Sequence, residues 1–198
     1  MDVDSTIMMS LSNYEDLIEL KIELDESIDL ETLNWVRYNP RKPINRWGCS
    51  ITSLDGDDSG MPDLDSVREY NIVNKTNLNE LSFKKRTLHS KPFSNFLDTF
   101  ECGRSHYLKF GLGGFFPWHR DNDQETFRII YTVKGCSNND LIWLQDEKLL
   151  HLQDKKWYYV NTKKKHCVFS FTESIMAVFN VALTDSNIKN LFIKSPIK

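Results

Sequence analysis

The sequence predicts a mainly β fold with flanking helices. Short runs of β-branched and aromatic residues recur between residues 105 and 183, and turn-forming clusters such as GLGG, KGCSNND and TDSN separate them. Many short strands at regular spacing are typical of a β-sandwich or a barrel. The hydrophobic fraction of 40% over 198 residues fits an ordinary globular core and excludes a disordered chain.

The first half of the chain has a different texture. We interpret residues 1–103 as an α+β extension that packs on a β-rich core of residues 104–198, the two forming one compact unit. The predicted elements of the extension are a helical turn and short strand over 14–26, a helix over 29–38, a long loop over 39–63 and a helix over 92–101. Such a long loop is often a lid or a substrate-binding segment.

Charge is unevenly distributed along the chain. Residues 1–82 carry 17 acidic and 7 basic side chains, whereas residues 83–198 carry 11 acidic and 18 basic ones. One interpretation is that the two parts attract each other, and the other is that the basic part favours an acidic ligand.

Cysteine usage and hydropathy bear on the cellular setting. The four cysteines form no C-x-x-C pair, no apolar run is long enough for a membrane span, and no leader-like segment is evident. We therefore expect a cytoplasmic protein with free thiols and no membrane association. No nucleic-acid-binding motif appears.

The segment GLGGFFPWHRD over 111–121 carries the main chemical signal. It places His119 and Asp121 two positions apart, and residues i and i+2 of an extended strand project to the same face. His166 follows 47 residues later (166 − 119) and opens the strand-like run CVFSF. Four strand-like runs lie between the two histidines, which is enough chain to return His166 to the side of His119 in a jelly-roll.

Two histidines and one carboxylate on one face of a metal ion leave three octahedral positions open. This facial arrangement is the one expected of non-haem iron(II) oxygenases, in which the open positions take a chelating cosubstrate and dioxygen. We therefore predict that His119, Asp121 and His166 are metal ligands and form the catalytic centre.

Residues 104–183 resemble the iron(II)/2-oxoglutarate-dependent oxygenases, and within them the aspartyl/asparaginyl β-hydroxylase-like branch. The matching segments are HRDNDQETFR (119–128) and WYYVNTKKKHCVFSF (157–171), and Arg128 keeps the branch's interval of nine residues after His119. The resemblance implies a double-stranded β-helix, a cupin-like jelly-roll barrel. It also implies hydroxylation of a C–H bond, with 2-oxoglutarate decarboxylated to succinate by dioxygen at iron(II).

The resemblance also implies that Arg128 binds a carboxylate of 2-oxoglutarate, for which a planar guanidinium is suited. Two positions differ from the branch: Asp121 adds a carboxylate ligand that some of its members lack, and Met176 stands where the branch has a second arginine. Arg128 therefore acts either alone or with help from one of the following polar residues: Tyr107, Lys109, Tyr131 and Asn180. We favour help from Tyr131 or Lys109.

The substrate is expected to be a small molecule or a peptide side chain. Trp118, Arg46 and Arg104 are candidate substrate contacts on the basis of their positions in the sequence. The alternative function is a catalytically inactive, cupin-like binding module. A third interpretation keeps the metal but assigns other chemistry, such as an epimerase, which would have no need of Arg128 as a dicarboxylate anchor.

Overall fold

The structure is a computed structural model that describes residues 15–38, 44–121 and 124–195. The strands within these ranges are β1 (Leu17–Leu20), β2 (Val36–Arg37), β3 (Arg46–Ser50), β4 (Thr52–Ser53), β5 (Lys85–Arg86), β6 (Cys102–Phe110), β7 (Phe115–His119), β8 (Thr126–Lys134), β9 (Leu141–Gln145), β10 (Lys148–Leu150), β11 (Trp157–Val160), β12 (His166–Ser170) and β13 (Ser174–Ala182). The helices are α1 (Val67–Asn74), α2 (Ser94–Thr99) and α3 (Asp185–Lys194), with 3-10 turns at Leu30–Thr32, Glu80–Ser82 and Leu88–Phe93.

Two antiparallel sheets face each other as a jelly-roll. The larger sheet has the order β1-β11-β8-β13-β6-β3-β2, and the smaller has the order β10-β9-β12-β7. From β6 to β13 the chain passes from one sheet to the other, with the β9–β10 hairpin as the one connection that stays within a sheet. This interleaving is the topology of a double-stranded β-helix, so the predicted fold class is confirmed.

The larger sheet separates two hydrophobic clusters because its side chains alternate between faces. One face points into the barrel, where Leu108, Ile130 and Met176 pack with residues of the smaller sheet. The other face packs against the helical segments, and Phe93, Phe96, Trp157 and Phe179 form its aromatic centre. A residue's parity on β6, β8 or β13 therefore decides whether it can reach the barrel interior.

Three strands of the N-terminal part add to the larger sheet. β1 pairs with β11, and β3 pairs with β6 and carries β2 at its outer edge. The predicted extension thus contributes to the barrel wall. Ion pairs join it to the basic second half, as Glu19 lies 2.7 Å from Lys156 and Asp16 contacts Lys164. Mutual attraction of the two charged parts is the interpretation that these contacts support.

Several predicted elements of the first half are corrected by the structure. The expected helix over 29–38 is a single 3-10 turn followed by β2, because Val36 and Arg37 pair with β3. In the predicted loop 39–63, residues 39–43 lie outside the described residues, and 46–50 form β3. The first strand is at 17–20 rather than later in 14–26, and residue 14 is outside the described residues.

Two other expectations about the chain, one helix and the free thiols, are met. The predicted helix over 92–101 is observed as α2, which follows a 3-10 turn. All four cysteines are free, and burial keeps three of them from solvent: Cys49, Cys102 and Cys136. Across the described ranges, each helix is too short or too polar to cross a membrane.

Candidate metal centre

The predicted ligands meet where β7 ends and β12 begins. His119 is the last residue of β7, His166 is the first of β12, and the two are direct partners in the antiparallel ladder. Asp121 follows β7, and its backbone N–H donates to the Thr162 carbonyl at 3.0 Å, which holds the chain extended beyond the strand. The sheet register therefore brings two distant parts of the sequence to one point.

The three side chains converge as a metal site requires. One ligand atom from each of His119, Asp121 and His166 lies within 4.8 Å of the others. The two imidazole centroids are 4.2 Å apart, and His119 Nε2 is 3.8 Å from Asp121 Oδ1. Donors bound to one ion at about 2 Å are at most about 4 Å apart, so the distance from His119 Nε2 to Asp121 Oδ1 lies within that limit and small side-chain movements bring all three donors onto one ion.

Hydrogen bonds orient both imidazoles. His119 Nδ1 lies 2.6 Å from the Pro117 carbonyl oxygen, and His166 Nδ1 lies 3.0 Å from that of Lys164. A carbonyl oxygen only accepts, so each Nδ1 is the donor and each Nε2 keeps its lone pair for the shared point. This is the outer-shell arrangement that fixes the tautomer of metal-binding histidines.

Asp121 is held by Arg128 on β8. Arg128 Nε donates to Asp121 Oδ2 at 2.8 Å, which leaves Oδ1 directed at His119. Burial by itself raises the pKa of the Asp121 carboxyl, but the Arg128 guanidinium outweighs it and holds that pKa well below its usual range. Burial lowers the pKa of His166, and a lower pKa favours the neutral imidazole that binds metals.

The donor set opens on a cavity of about 390 Å³ inside the barrel. Apolar side chains form much of its wall, and Trp143 stacks on the His166 ring at 5.6 Å. The apolar wall residues are Ile44, Leu108, Phe110, Phe116, Ile130, Val168, Met176 and Val178. Besides the three donors, the polar residues Tyr38, Arg46, Arg104, His106, Arg128 and Thr162 line it. This combination is typical of a small-molecule site.

The structure corrects three of the predicted cosubstrate contacts. Tyr107, Lys109 and Tyr131 lie on the outer face of the larger sheet, away from the cavity. The Tyr107 hydroxyl donates to the His89 carbonyl, and the Tyr131 ring packs on Trp157. Lys109 Nζ lies 4.3 Å from the centroid of the Trp35 ring. The reason is strand parity, because these are odd-numbered positions and the cavity residues of β6 and β8 are even-numbered.

Asn180 and the three predicted substrate residues lie in different parts of the structure. Asn180 pairs with Arg128 in the ladder and donates to Glu80, which also accepts two hydrogen bonds from Arg104, at 2.7 and 2.8 Å. Arg46 lies in the cavity wall. Trp118 is 45% exposed and lies beside Lys165, outside the set of residues that line the cavity, so its contact with substrate stays a prediction.

Polar residues that support the site were not identified from the sequence, among them Gln145 and Glu80. Gln145 is fully buried beside His166 in the ladder, and neither amide atom has a partner among the described residues. Glu80 neutralises Arg104 from a 3-10 turn. Gln145 ends the apolar run LIWLQ, which marks it as unusual in sequence, but its position opposite His166 depends on register. No sequence signal identifies Glu80.

The sequence matches no protein-family model, and no curated protein matches it. Solved structures that superpose on the fold include an oxidoreductase of the 2OG-Fe(II) oxygenase family from Burkholderia pseudomallei, at 12% identity and a TM-score of 0.43, covering 77% of this chain and 73% of that one. A predicted oxalate decarboxylase from Thermotoga maritima matches at 12% identity and a TM-score of 0.35, covering 46% of this chain and 74% of that one. A cupin domain from Bordetella pertussis matches at 18% identity and a TM-score of 0.32, covering 39% of this chain and 79% of that one.

These likenesses are distant, so the fold assignment stands on the sheet topology described above. Fold and donor set together define the class: a jelly-roll protein of the cupin type with a candidate His/Asp/His metal site in the barrel. The residues present fit a divalent transition metal, because two imidazoles whose Nδ1 atoms are engaged by carbonyl oxygens and one carboxylate converge on a single point.

Proposed function

We propose that this protein is a non-haem iron(II)- and 2-oxoglutarate-dependent oxygenase that hydroxylates a small molecule or a peptide side chain. The observation that carries the proposal is the convergence of His119, Asp121 and His166 at the wall of the barrel cavity. Three donors on one side leave the other positions of an octahedral ion facing that cavity. Iron(II) bound there with 2-oxoglutarate would supply the oxidising power for C–H hydroxylation.

The chain's own residues prepare this site. His119 and His166 present Nε2 because their Nδ1 atoms are engaged by carbonyl oxygens, and Arg128 fixes the orientation of the Asp121 carboxylate. The apolar wall on the barrel side limits the water that reaches the open positions, which protects a reactive centre from side reactions.

Arg128 has two parts in the proposal. Its contact with Asp121 uses Nε, so a contact with a carboxylate of 2-oxoglutarate falls to the terminal guanidinium nitrogens. That contact remains a prediction from the resemblance. Met176, at the position of the branch's second arginine, lines the cavity and adds no charge to it.

The proposal is tested by turnover at the purified full-length protein. Iron(II) is added without oxygen, 2-oxoglutarate and air follow, and succinate formation is measured in the wild type, in His119→Ala and in His151→Ala. His151 is an exposed histidine outside the site and serves as the matched control. We expect succinate from the wild type and from His151→Ala only.

The alternative function predicts a different result. A catalytically inactive binding module forms no succinate, even in the presence of a panel of amino acids and peptides as substrates. Equal succinate formation by His119→Ala and the wild type contradicts the assignment of the site as well.

A further inference from the structure

The outer face of the smaller sheet is apolar across its four strands. Two cross-strand rows of side chains form this face, one of Leu149, Leu144 and Cys167 and the other of Ile142, Phe169 and Phe115. These positions alternate with Trp143, Val168 and Phe116, which line the cavity, so the two rows point away from the barrel interior. Every outward position of β9, β10 and β12 is therefore apolar.

Much of this apolar surface is exposed. Phe115, Leu149 and Phe169 are 37%, 39% and 40% exposed, and Phe171, whose ring centroid lies 5.1 Å from that of Phe169, is 44% exposed. Neither of the two hydrophobic clusters that the described residues form includes any of them. An antiparallel sheet that faces water normally presents polar residues on that side, whereas strands that are apolar on both sides belong to a sheet covered on both faces. The pattern thus indicates a partner for this face.

The exposed face has the size that a dimer requires. Large aromatic side chains carry on the order of 200 Å² of surface each, so the exposed fractions of these residues leave several hundred Å² of apolar area on one protomer. A standard interface takes about 800 Å² from each partner, and its polar rim is part of that area. Monomeric proteins rarely expose a contiguous apolar patch this large without a binding role.

The rim of this face carries charges of both signs. Asp146 and Glu147 in the turn after β9, together with Lys165 before β12, surround a depression beside Trp118. Lys165 Nζ lies 5.6 Å from the centroid of the Trp118 ring. In a two-fold interface the same surface meets itself, so a rim of one sign would repel its copy. A mixed rim permits that contact, whereas an anionic membrane surface would favour a basic rim.

We propose that this protein forms a two-fold dimer in which the outer faces of two smaller sheets pack against each other. Sheets that pack face to face at about 10 Å interdigitate their side chains, which would remove Phe115, Phe169 and Phe171 of both copies from water. The inference is independent of the proposed function, because the cavity-lining residues and the three candidate metal ligands do not include the residues of this face.

Sedimentation equilibrium of the full-length protein at about 1 to 100 µM measures the association. The monomer mass is 23.3 kDa, so a dimer has twice that mass. The test variant is Phe169→Lys, since Phe169 lies in the middle of its row and is exposed enough for a lysine to reach water in the monomer. The matched control is Ile72→Lys on α1, where the isoleucine is 70% exposed and lies outside this face.

We expect the wild type and Ile72→Lys to sediment as dimers at the upper concentrations. Phe169→Lys should raise the dissociation constant of the dimer by about tenfold or more, because it places a charge at the centre of an apolar contact. Cooperative thermal unfolding of Phe169→Lys, followed by circular dichroism, shows that the variant is folded.

A second measurement needs no change at the interface. Cys167 lies in the face and is the one cysteine that is not fully buried. Its reaction with a chromogenic disulfide reagent should slow as the concentration of the wild-type protein rises through the dissociation constant, since the dimer shields the thiol. Loss of this reaction in Cys167→Ser identifies the thiol that reacts.

A wild type with a mass of 23.3 kDa over the whole concentration range overturns the inference. So does a dimer of unchanged affinity in folded Phe169→Lys, because the copies then meet through another surface. If Phe169→Lys does not fold, the labelling of the wild type decides: a rate for Cys167 that is the same in monomer and dimer contradicts the proposed interface.

Discussion

At the scale of single residues, the site depends on hydrogen bonds that orient the three metal donors. Arg128 determines which oxygen of Asp121 is presented to the histidines, because its Nε occupies Oδ2. The two carbonyl contacts at Nδ1 do the same for the imidazoles. Outer-shell contacts of this kind typically change metal affinity by about 10–100-fold when they are removed.

Replacement of Arg128 tests this role directly. We expect Arg128→Met to lower metal affinity by about 10–100-fold, since Asp121 loses the partner that orients it. Arg128→Lys keeps the charge without the Nε donor, so its metal affinity should lie between that of the wild type and that of Arg128→Met. Competition against a chromogenic chelator for zinc measures the affinity, with Arg86→Met as the control, since Arg86 pairs with Asp98 at the surface. Unchanged affinity in Arg128→Met shows that Asp121 is oriented without it.

A second residue-scale prediction concerns Asp63, which is buried away from the metal site. Ser50 Oγ donates to its Oδ2 at 2.7 Å, Oδ1 has no partner among the described residues, and burial raises the pKa of Asp63 to about 6. The pKa of this carboxyl in the unfolded chain is about 3.9. Between these values the folded protein holds a proton that the unfolded chain has released, so this group's contribution to stability falls as pH rises.

Asp63→Asn removes that pH dependence. We expect the free energy of unfolding of the variant, relative to the wild type, to rise by about 2 kcal/mol between pH 4 and pH 7. Urea denaturation at four pH values across this range measures the difference. Parallel stability curves for the two proteins show that Asp63 titrates alike in the folded and unfolded states.

At the scale of elements, most of the correct predictions of strands and of their inward faces came from strand periodicity. The runs after residue 104 correspond to strands because their apolar residues match the two-residue alternation of a sheet. The same parity separates Arg128 from Tyr131, so the tyrosine's place on the opposite face was readable from β8 alone. The H-x-D spacing predicted the side-by-side arrangement of His119 and Asp121 for the same reason.

Elements fixed by distant pairing were not predictable in this way. β3 has the sequence RWGCS, which lacks a strand-like alternation, and it is a strand because it pairs with β6. Apolar spacing at Leu30, Leu33 and Val36 favoured a helix, but pairing of β2 with β3 overrides that local preference. The position of Arg46 in the cavity wall depends on this same pairing, which the local sequence does not indicate.

The turn that ends β8 provides a prediction at the element scale. Gly135 has φ +62°, and a Cβ there would lie 2.3 Å from the Glu173 carbonyl oxygen. Gly113 also has a positive φ, +73°, but a Cβ there would meet no atom within 4 Å. We expect Gly135→Ala to cost more than about 1 kcal/mol of stability, and clearly more than Gly113→Ala, since only the former adds a clash to the backbone strain.

Thermal or urea denaturation of these two alanine variants provides the comparison. Equal losses of unfolding free energy in Gly135→Ala and Gly113→Ala show that the turn after β8 moves away from Glu173 at little cost in stability.

At the scale of the whole molecule, the site ties together strands from both sheets. β7 and the segment after it supply His119 and Asp121, β12 supplies His166, β8 supplies Arg128 and β3 supplies Arg46. A ligand that binds the folded state alone stabilises it by mass action, so metal binding should raise the unfolding temperature of the whole chain.

The expected size of this effect follows from the chain length. At a free metal concentration one hundred times the dissociation constant, the stabilisation is about 2.7 kcal/mol, or about 5–10 °C for a chain of this size. We expect this shift with zinc in the wild type and in His151→Ala, its reversal by a chelator, and its absence in His166→Ala. The same shift in His166→Ala indicates that the metal binds elsewhere.

The most direct measurement is anomalous diffraction from crystals of the full-length protein soaked with manganese(II), a stand-in for iron(II), and 2-oxoglutarate. We predict one anomalous peak bounded by His119, Asp121 and His166, with density for a bidentate ligand on the cavity side of the ion. A peak at any other group of residues, or none at saturating manganese, contradicts the central claim that these three side chains hold a metal.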